Sequence, residues 1–275
     1  MAYRNLNLTP LAGALGAEVT GVDLGDLDAT TFDEIHAAWL EHQVLFFRDQ
    51  DLTPEQHKAF GARLGSLHLH PYIASRKDEG HPEIVVLESH EKRPFLAAGW
   101  HTDVTFIESP PMASVLRAVE VPAWGGDTLW SSMYAAYEAL SSTMQGLLSQ
   151  LSAIHDTSKT FSRGAYPSEN HANDQKPPRV EHPVVRTHPE TGRKALFVNS
   201  AFTYKIKGMR PDESEHMLRF LYLHIGQPEF TCRFHWEKNS VALWDNRCTQ
   251  HRAVADNPTA HRRMERVTIE GDRPR

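Results

Sequence analysis

Cysteine is nearly absent: Cys232 and Cys248 stand 16 positions apart and outside any CxxC. That spacing argues against a disulfide framework and fits a reducing, cytoplasmic setting. Long apolar runs are missing too. The longest, such as 44–47 and 84–87, fall far short of the roughly 20 residues that a bilayer span needs, so no membrane partner is expected. There is no basic block, the formal net charge is −6 and both signs are mixed along the chain, which leaves nucleic acid without an electrostatic footprint. Residues 1–10 lack a charged start followed by an apolar core and are not read as a signal peptide. No internal repeat, low-complexity tract or linker divides the sequence, so one domain is expected over residues 1–275.

What remains is the balance of a globular protein able to bury a sizeable core, 40% hydrophobic and 23% charged. Thr53 caps a predicted helix, with Pro54 at its first position and Gln56 closing a capping box. Residues 31–43 carry Phe32, Ile35, Ala38, Trp39 and Leu40 at helical spacing. Residues 132–151 and 212–224 read as two more helices, the second capped at Gly226. Short strands rich in Val, Phe and Trp are predicted over 44–48, 83–88, 113–119, 128–131, 183–187, 195–198, 230–236, 241–244 and 266–270. The pattern predicts a mainly β fold with α elements, a jelly-roll core with helical decorations. Residues 161–183, rich in Gly, Pro, Ser and Asn, read as a long loop of the kind that forms lids.

Histidine is plentiful at 17 copies, which directs attention to metal-ligand spacing. In Trp100-His101-Thr102-Asp103-Val104-Thr105-Phe106, His101 and Asp103 are two apart. On a strand they would face one side and offer an imidazole nitrogen and a carboxylate oxygen to the same ion. A second histidine would complete a two-histidine, one-carboxylate face, which leaves three octahedral positions open and suits non-haem Fe(II) oxygen chemistry. The pair by itself equally suits a satisfied contact near a turn. His251 is the candidate partner, following an apolar strand and a polar turn. Eleven residues later Arg262 offers a guanidinium able to grip a carboxylate through two parallel hydrogen bonds.

Four segments in this order, WHTDVTF (100–106), GGDTLW (125–130), WDNRCTQH (244–251) and the Arg262/Arg266 pair, resemble the taurine dioxygenase family of Fe(II)/2-oxoglutarate-dependent dioxygenases. That family also contains alkylsulfatase and phenoxyacetate-herbicide dioxygenases. The likeness runs from residues 16–22 to Arg266. It implies a double-stranded β-helix, a form of jelly roll, with Fe(II) on His101, Asp103 and His251. It implies that 2-oxoglutarate chelates the iron through its keto and C1-carboxylate oxygens, with O2 as the second co-substrate. The far carboxylate would sit against Arg262, with a hydrogen bond from the Thr128 hydroxyl. The implied reaction hydroxylates a small organic anion beside a heteroatom and yields succinate and CO2. Collapse of the product would release sulfite or sulfate from an alkylsulfonate or alkyl sulfate, or a phenol from an aryloxyalkanoate. Self-association as a homo-oligomer is also implied.

For the substrate pocket, Arg266 matches the family's sulfonate-binding arginine, and Arg262, Met264 and Arg266 share one side of a strand. His70 matches a substrate-binding histidine, with His68 two residues earlier. Phe161 and Phe202 match aromatics that line the site. The plainer readings are an ion-paired strand arginine, a structural histidine and core aromatics. The sequence departs from the pattern at Ala97, where the family has a substrate-contacting asparagine, and at Tyr72, displaced by one position. Both changes argue against taurine itself and for a larger or less polar anion.

Other polar residues have simpler roles. Cys248 reads as a packing residue, Asp127 as a turn residue, and Asp245 and Asn246 as ordering the turn into His251. A catalytically inactive metal-binding jelly roll would need neither open positions nor the Arg262 clamp. A zinc hydrolase could use two histidines and a carboxylate, but not Arg262 and Thr128.

Overall fold

The computed structural model describes residues 3–70, 75–76, 80–94, 99–161 and 179–275, with backbone only at 75–76 and 160–161. The chain runs β1 (Asn7–Pro10), β2 (Ala17–Thr20), α1 (Ala29–His42), β3 (Val44–Phe47), α2 (Pro54–Ala62), β4 (Leu67–His68), β5 (Ser75–Arg76), β6 (His81–Ser89), β7 (Ala113–Glu120) and β8 (Thr128–Ser132). It continues with α3 (Met133–Glu138), α4 (Ser142–Leu148), β9 (Ser152–His155), α5 (Ser158–Phe161), β10 (Val180–Pro183), β11 (Val185–Thr187), β12 (Lys194–Leu196) and β13 (Thr203–Ile206). The last elements are α6 (Pro211–His224), β14 (Thr231–Phe234), β15 (Val241–Asp245), β16 (Thr249–Ala253) and β17 (Arg262–Ile269).

The large sheet has the order β1-β2-β3-β15-β7-β17-β6-β5, with β4 also on β17, and a second sheet has the order β14-β8-β16. These are the walls of the jelly roll. Central strands bury both faces, and period-2 alternation sorts their side chains between two cores. From β3 and β15, Val44, Phe46, Ala242 and Trp244 enter a core with Trp130 and Phe234 of the opposite sheet. Leu45, Phe47, Val241 and Leu243 pack with Ile35, Ala38 and Trp39 of α1 and Phe60 of α2. Between the sheets, Phe46 stacks on Phe234 at 4.2 Å and meets Trp130 edge-on at 5.1 Å.

Local sequence decides several boundaries. Thr53 and Gln56 form the expected capping box at α2. Asp28 caps α1, and Gln43 closes it with φ 65°. Residues 132–151 form α3 and α4 rather than one helix, because the Ser141 hydroxyl accepts the Met144 N–H and starts a new one. Gly226 is not a left-handed cap. The last turn closes at Ile225 with φ −63°, and a Cβ on Gly226 would lie 3.0 Å from Trp100 Nε1, so close approach explains the glycine. The stretch 183–187 divides between β10 and β11, and β16 occupies part of what reads as a polar turn. The expected loop 161–183 begins at the end of α5 and finishes in β10; residues 162–178 lie outside the described residues. Among the described residues no helix is long and apolar enough to cross a membrane.

Candidate metal and co-substrate site

The His101–Asp103 segment is not a strand, as the spacing had suggested. His101 forms a single antiparallel bridge with His251, each backbone N–H donating to the other's carbonyl at 3.1 and 2.8 Å. Asp103 follows in a turn where Val104 has φ 53°, a costly conformation for a β-branched residue. Tertiary hydrogen bonds hold the turn. Thr102 Oγ1 donates to Thr249 O at 2.8 Å, and Asn199 Nδ2 donates to Thr105 Oγ1 at 3.0 Å. His182 Nε2 donates to Thr105 O at 2.9 Å. The bridge and the turn, rather than strand alternation, bring the three side chains together.

Ligand atoms of His101, Asp103 and His251 lie within 4.8 Å of one another. Asp103 Oδ1 is 4.0 Å from His101 Nε2 and 3.9 Å from His251 Nε2. His101 Nδ1 lies 2.9 Å from Gly99 O, which can only accept, so Nδ1 carries the proton and Nε2 keeps its lone pair. Burial pushes the His251 pKa down to about 3, and burial also lowers that of His101. Burial raises the Asp103 carboxyl, but Arg266, His251 and His101 outweigh it and hold it below the usual carboxylate range. Near neutral pH the trio therefore presents two neutral imidazoles and one carboxylate, a donor set that fits Fe(II). Both Asp103 oxygens have further contacts: Oδ1 accepts from Arg266 Nη1 at 2.8 Å and Oδ2 from Ser114 Oγ at 3.0 Å.

Arg262 lies at the start of β17, 8% exposed, and burial pushes its guanidinium down to about 10. It lines a small cavity with Gly126, Ala253 and Val254. Gly126 has φ +72°, and a Cβ there would lie 3.4 Å from Arg262 Cδ, so the glycine seats the arginine stem. Its N–H donates to Asp256 Oδ1 at 2.8 Å, tying the loop before β8 to the one before β17. Thr128 is 3% exposed and opposite Ala253 in the β8–β16 ladder. Its Oγ1 accepts from Trp236 Nε1 at 2.9 Å, which leaves the hydroxyl proton to donate elsewhere.

Arg266 is 5% exposed, on the same face of β17 as Arg262 and Met264. Burial first, then the positive charge of Arg266, pushes His70 down to about 3, so that guanidinium lies within electrostatic reach of His70. Phe202 is 3% exposed, its ring 6.3 Å from that of His101. Asn199 Oδ1 orients its backbone by accepting the N–H groups of Ala201 and Phe202 at 3.2 and 2.8 Å. Only the backbone of Phe161 is described, and Tyr72 and Ala97 lie outside the described residues.

A second grouping, His188, Asp245 and Cys248, also brings possible ligand atoms together. Asp245 is already taken up by Arg247, at 2.9 and 2.7 Å, and by His188 at 3.0 Å. Burial raises the Cys248 thiol well above its ordinary pKa, and its side chain packs in the core beneath α3 and α6. This cluster orders the turn into His251. Asp127 accepts from Arg233 at 2.6 Å and His235 at 2.7 Å, bracing β14 against the start of β8. Ser114 escaped the sequence reading. Its one signal was a small hydroxyl in the apolar run 113–116, on the face that β7 turns toward the site.

Residues 7–268 match the family described as "Taurine catabolism dioxygenase TauD, TfdA family". The chain is 39% identical to the alpha-ketoglutarate-dependent (2-oxoglutarate-dependent) sulfate ester dioxygenase of Pseudomonas putida, over 98% of this chain and 91% of that one. It is 36% identical to the alkylsulfatase of Acinetobacter baylyi, over 98% and 86%. The structure of a taurine dioxygenase from Burkholderia xenovorans superposes with a TM-score of 0.85 at 40% identity, covering 98% and 91%. Likeness of this extent in sequence and fold makes the chain a member of the TauD/TfdA family and a 2-oxoglutarate-dependent dioxygenase.

Proposed function

We propose that this chain hydroxylates a small organic anion beside a heteroatom, and that the anion is an alkyl sulfate or alkylsulfonate. In this reading His101, Asp103 and His251 hold Fe(II), and Thr128 and Arg262 hold the far carboxylate of 2-oxoglutarate. His70, Phe161, Phe202 and Arg266 form the substrate pocket, and one domain over residues 1–275 carries the whole. When bound, Fe(II), 2-oxoglutarate and O2 supply the oxidation: one oxygen atom enters succinate as CO2 leaves, and the other becomes the substrate hydroxyl.

The protein's part is to bind and orient. A buried guanidinium at Arg262 strengthens its pairing with a carboxylate, since little water competes. The Thr128 proton adds a second, directional contact, fixed by the Trp236 donor on the same oxygen. The single observation that carries the substrate class is Arg266. It is a second buried cation on the same strand face, 2.8 Å from the carboxylate of Asp103, so an anion it holds is held beside the metal ligands. His70, neutral at pH 7, can donate an N–H without adding charge. Phe202 closes apolar surface against His101 and excludes water from that side. Relatives named for sulfate esters and alkyl sulfates support a head with sulfur-bound oxygens. Hydroxylating the carbon next to a sulfate ester oxygen gives an unstable product that collapses to an aldehyde and sulfate.

A carboxylate head would pair with Arg266 by the same two-pronged geometry, and this favours an aryloxyalkanoate as the second reading. The test is succinate formation from 2-oxoglutarate by the Fe(II)-loaded protein in air, with alkyl sulfates, alkylsulfonates, taurine and aryloxy acids supplied separately. Sulfate or sulfite release matching succinate is the expected result. Phenol release instead selects the second reading, and succinate indifferent to every anion overturns the assignment of Arg266.

A further inference from the structure

Behind Asp103 lies a series of hydrogen bonds whose direction is set at its far end. An indole N–H can only donate, and Trp244 Nε1 donates to Asn246 Oδ1 at 2.9 Å. That contact orients the Asn246 amide, whose Nδ2 donates to Ser114 Oγ at 3.0 Å. A serine hydroxyl has one proton to give, and Ser114 gives it to Asp103 Oδ2 at 3.0 Å. Trp244, Asn246 and Ser114 are all at most 1% exposed, so water does not compete for these groups. Trp244 and Ser114 sit opposite each other in the β15–β7 ladder, Asn246 follows at the end of β15, and Asp103 comes from a distant turn. Apolar residues of like shape would serve stability about as well, because a buried hydrogen bond contributes little net. The polarity of the series therefore calls for a reason other than folding.

We propose that Trp244, Asn246 and Ser114 form a one-way donor relay that reserves Oδ2 of Asp103, so that the carboxylate offers a metal Oδ1 alone. The proposal rests on the reading of Asp103 as a metal ligand. Oδ1 is the oxygen 4.0 and 3.9 Å from the two imidazole Nε2 atoms; its own donor is Arg266 at 2.8 Å, the side chain assigned above to the substrate anion, whereas Ser114 gives its one proton to Oδ2. A carboxylate bound through both oxygens would fill a fourth of six octahedral positions and leave two. Two-point binding of 2-oxoglutarate and one position for O2 require three. The relay residues keep the third position open, and by drawing charge from the carboxylate they also set how strongly it donates. They act through Asp103 and are positioning residues.

Asn246→Asp separates polarity from shape. It keeps the acceptor for Trp244 and the side-chain volume but replaces the amide donor with a second acceptor. The Ser114 hydroxyl then turns to the new carboxylate, and Asp103 Oδ2 loses its donor. Metal-free protein is titrated with Co(II) under nitrogen and followed by visible d–d absorption, which reports affinity and coordination number without turnover. Circular dichroism and thermal melting verify folding. Asn246→Asp and Ser114→Ala each free Oδ2, and each is expected to bind Co(II) at least as tightly as the parent and to show the d–d spectrum of a higher coordination number. A parent-like spectrum, or binding weaker than the parent's, in the folded variants overturns the relay. Should Ser114→Ala not fold, Asn246→Asp decides alone. Asp103→Ala runs beside them: if it too binds Co(II) like the parent, the metal-site reading falls with the relay, and if it weakens binding while the relay variants keep the parent's spectrum, that reading stands and only the relay falls.

Discussion

Replacing Arg262 with methionine is expected to stabilise the ligand-free chain while removing its grip on 2-oxoglutarate. Burial pushes the guanidinium down to about 10, against an ordinary value of about 12.5. At 1.36 kcal/mol per tenfold, that difference corresponds to about 3 kcal/mol against the charged form. Because the folded value lies below the unfolded one, the cation opposes folding at every pH below about 10, and the penalty fades between about 10 and 12.5. Methionine keeps an unbranched stem against Gly126 and removes the charge. The gain is bounded by about 3 kcal/mol, and at about 2–4 °C per kcal/mol for a chain of this size the melting temperature rises by several degrees. The assay is thermal unfolding at pH 7.5 under nitrogen with Mn(II), without and with 2-oxoglutarate. The parent is expected to melt higher when 2-oxoglutarate is added, by the mass action of binding. The variant starts higher and does not respond. A variant that melts lower than the parent, or that still responds to 2-oxoglutarate, refutes the reasoning.

Thr128→Val is expected to weaken 2-oxoglutarate about tenfold or more, the worth of a hydrogen bond to a charged group, and to leave Trp236 Nε1 without its acceptor; isothermal titration with Mn(II) reads the affinity. Phe46→Ala removes a ring stacked on Phe234 and edge-on to Trp130 and is expected to cost about 3–5 kcal/mol, read as a lower urea midpoint with an unchanged slope. Acid stability is set partly by buried neutral histidines other than His101 and His251. Burial pushes His57 and His182 down to about 4, against an ordinary value of about 6.5. Their folded values are depressed, so the stability they contribute is fully present above about pH 6.5 and is lost as pH falls toward 4, by up to about 3 kcal/mol each. Urea midpoints measured from pH 7.5 to 4.5 should fall through that window, and less steeply in His57→Gln; a flat profile would contradict the burial argument.

Much of the site could be read from residue order, because the chemistry is carried by short segments. His101 and Asp103 two positions apart, a distant His251 and the arginines Arg262 and Arg266 are visible without coordinates, and so is a jelly roll of short apolar strands. The capping box at Thr53 and Gln56 was equally legible, since every atom it uses lies within one turn. Other features depend on neighbours far away in sequence. His101 and Asp103 share a direction through a bridge to His251 and a turn strained at Val104, held by Thr249 and Asn199, and no local pattern encodes those partners. Gly226 looked like a helix cap because glycine favours left-handed backbone, yet its place is set by Trp100, 126 residues earlier. Ser114 was silent because one hydroxyl in an apolar strand has meaning only once its partner is known. What the sequence determined by itself is which chemistry is present: ligand types, cations and periodic apolar faces are properties of single residues and near neighbours. The tertiary structure alone decided which lone pairs face one another, which charges lie away from water and which proton each hydroxyl must give, because those follow from packing between elements that the chain order does not bring together.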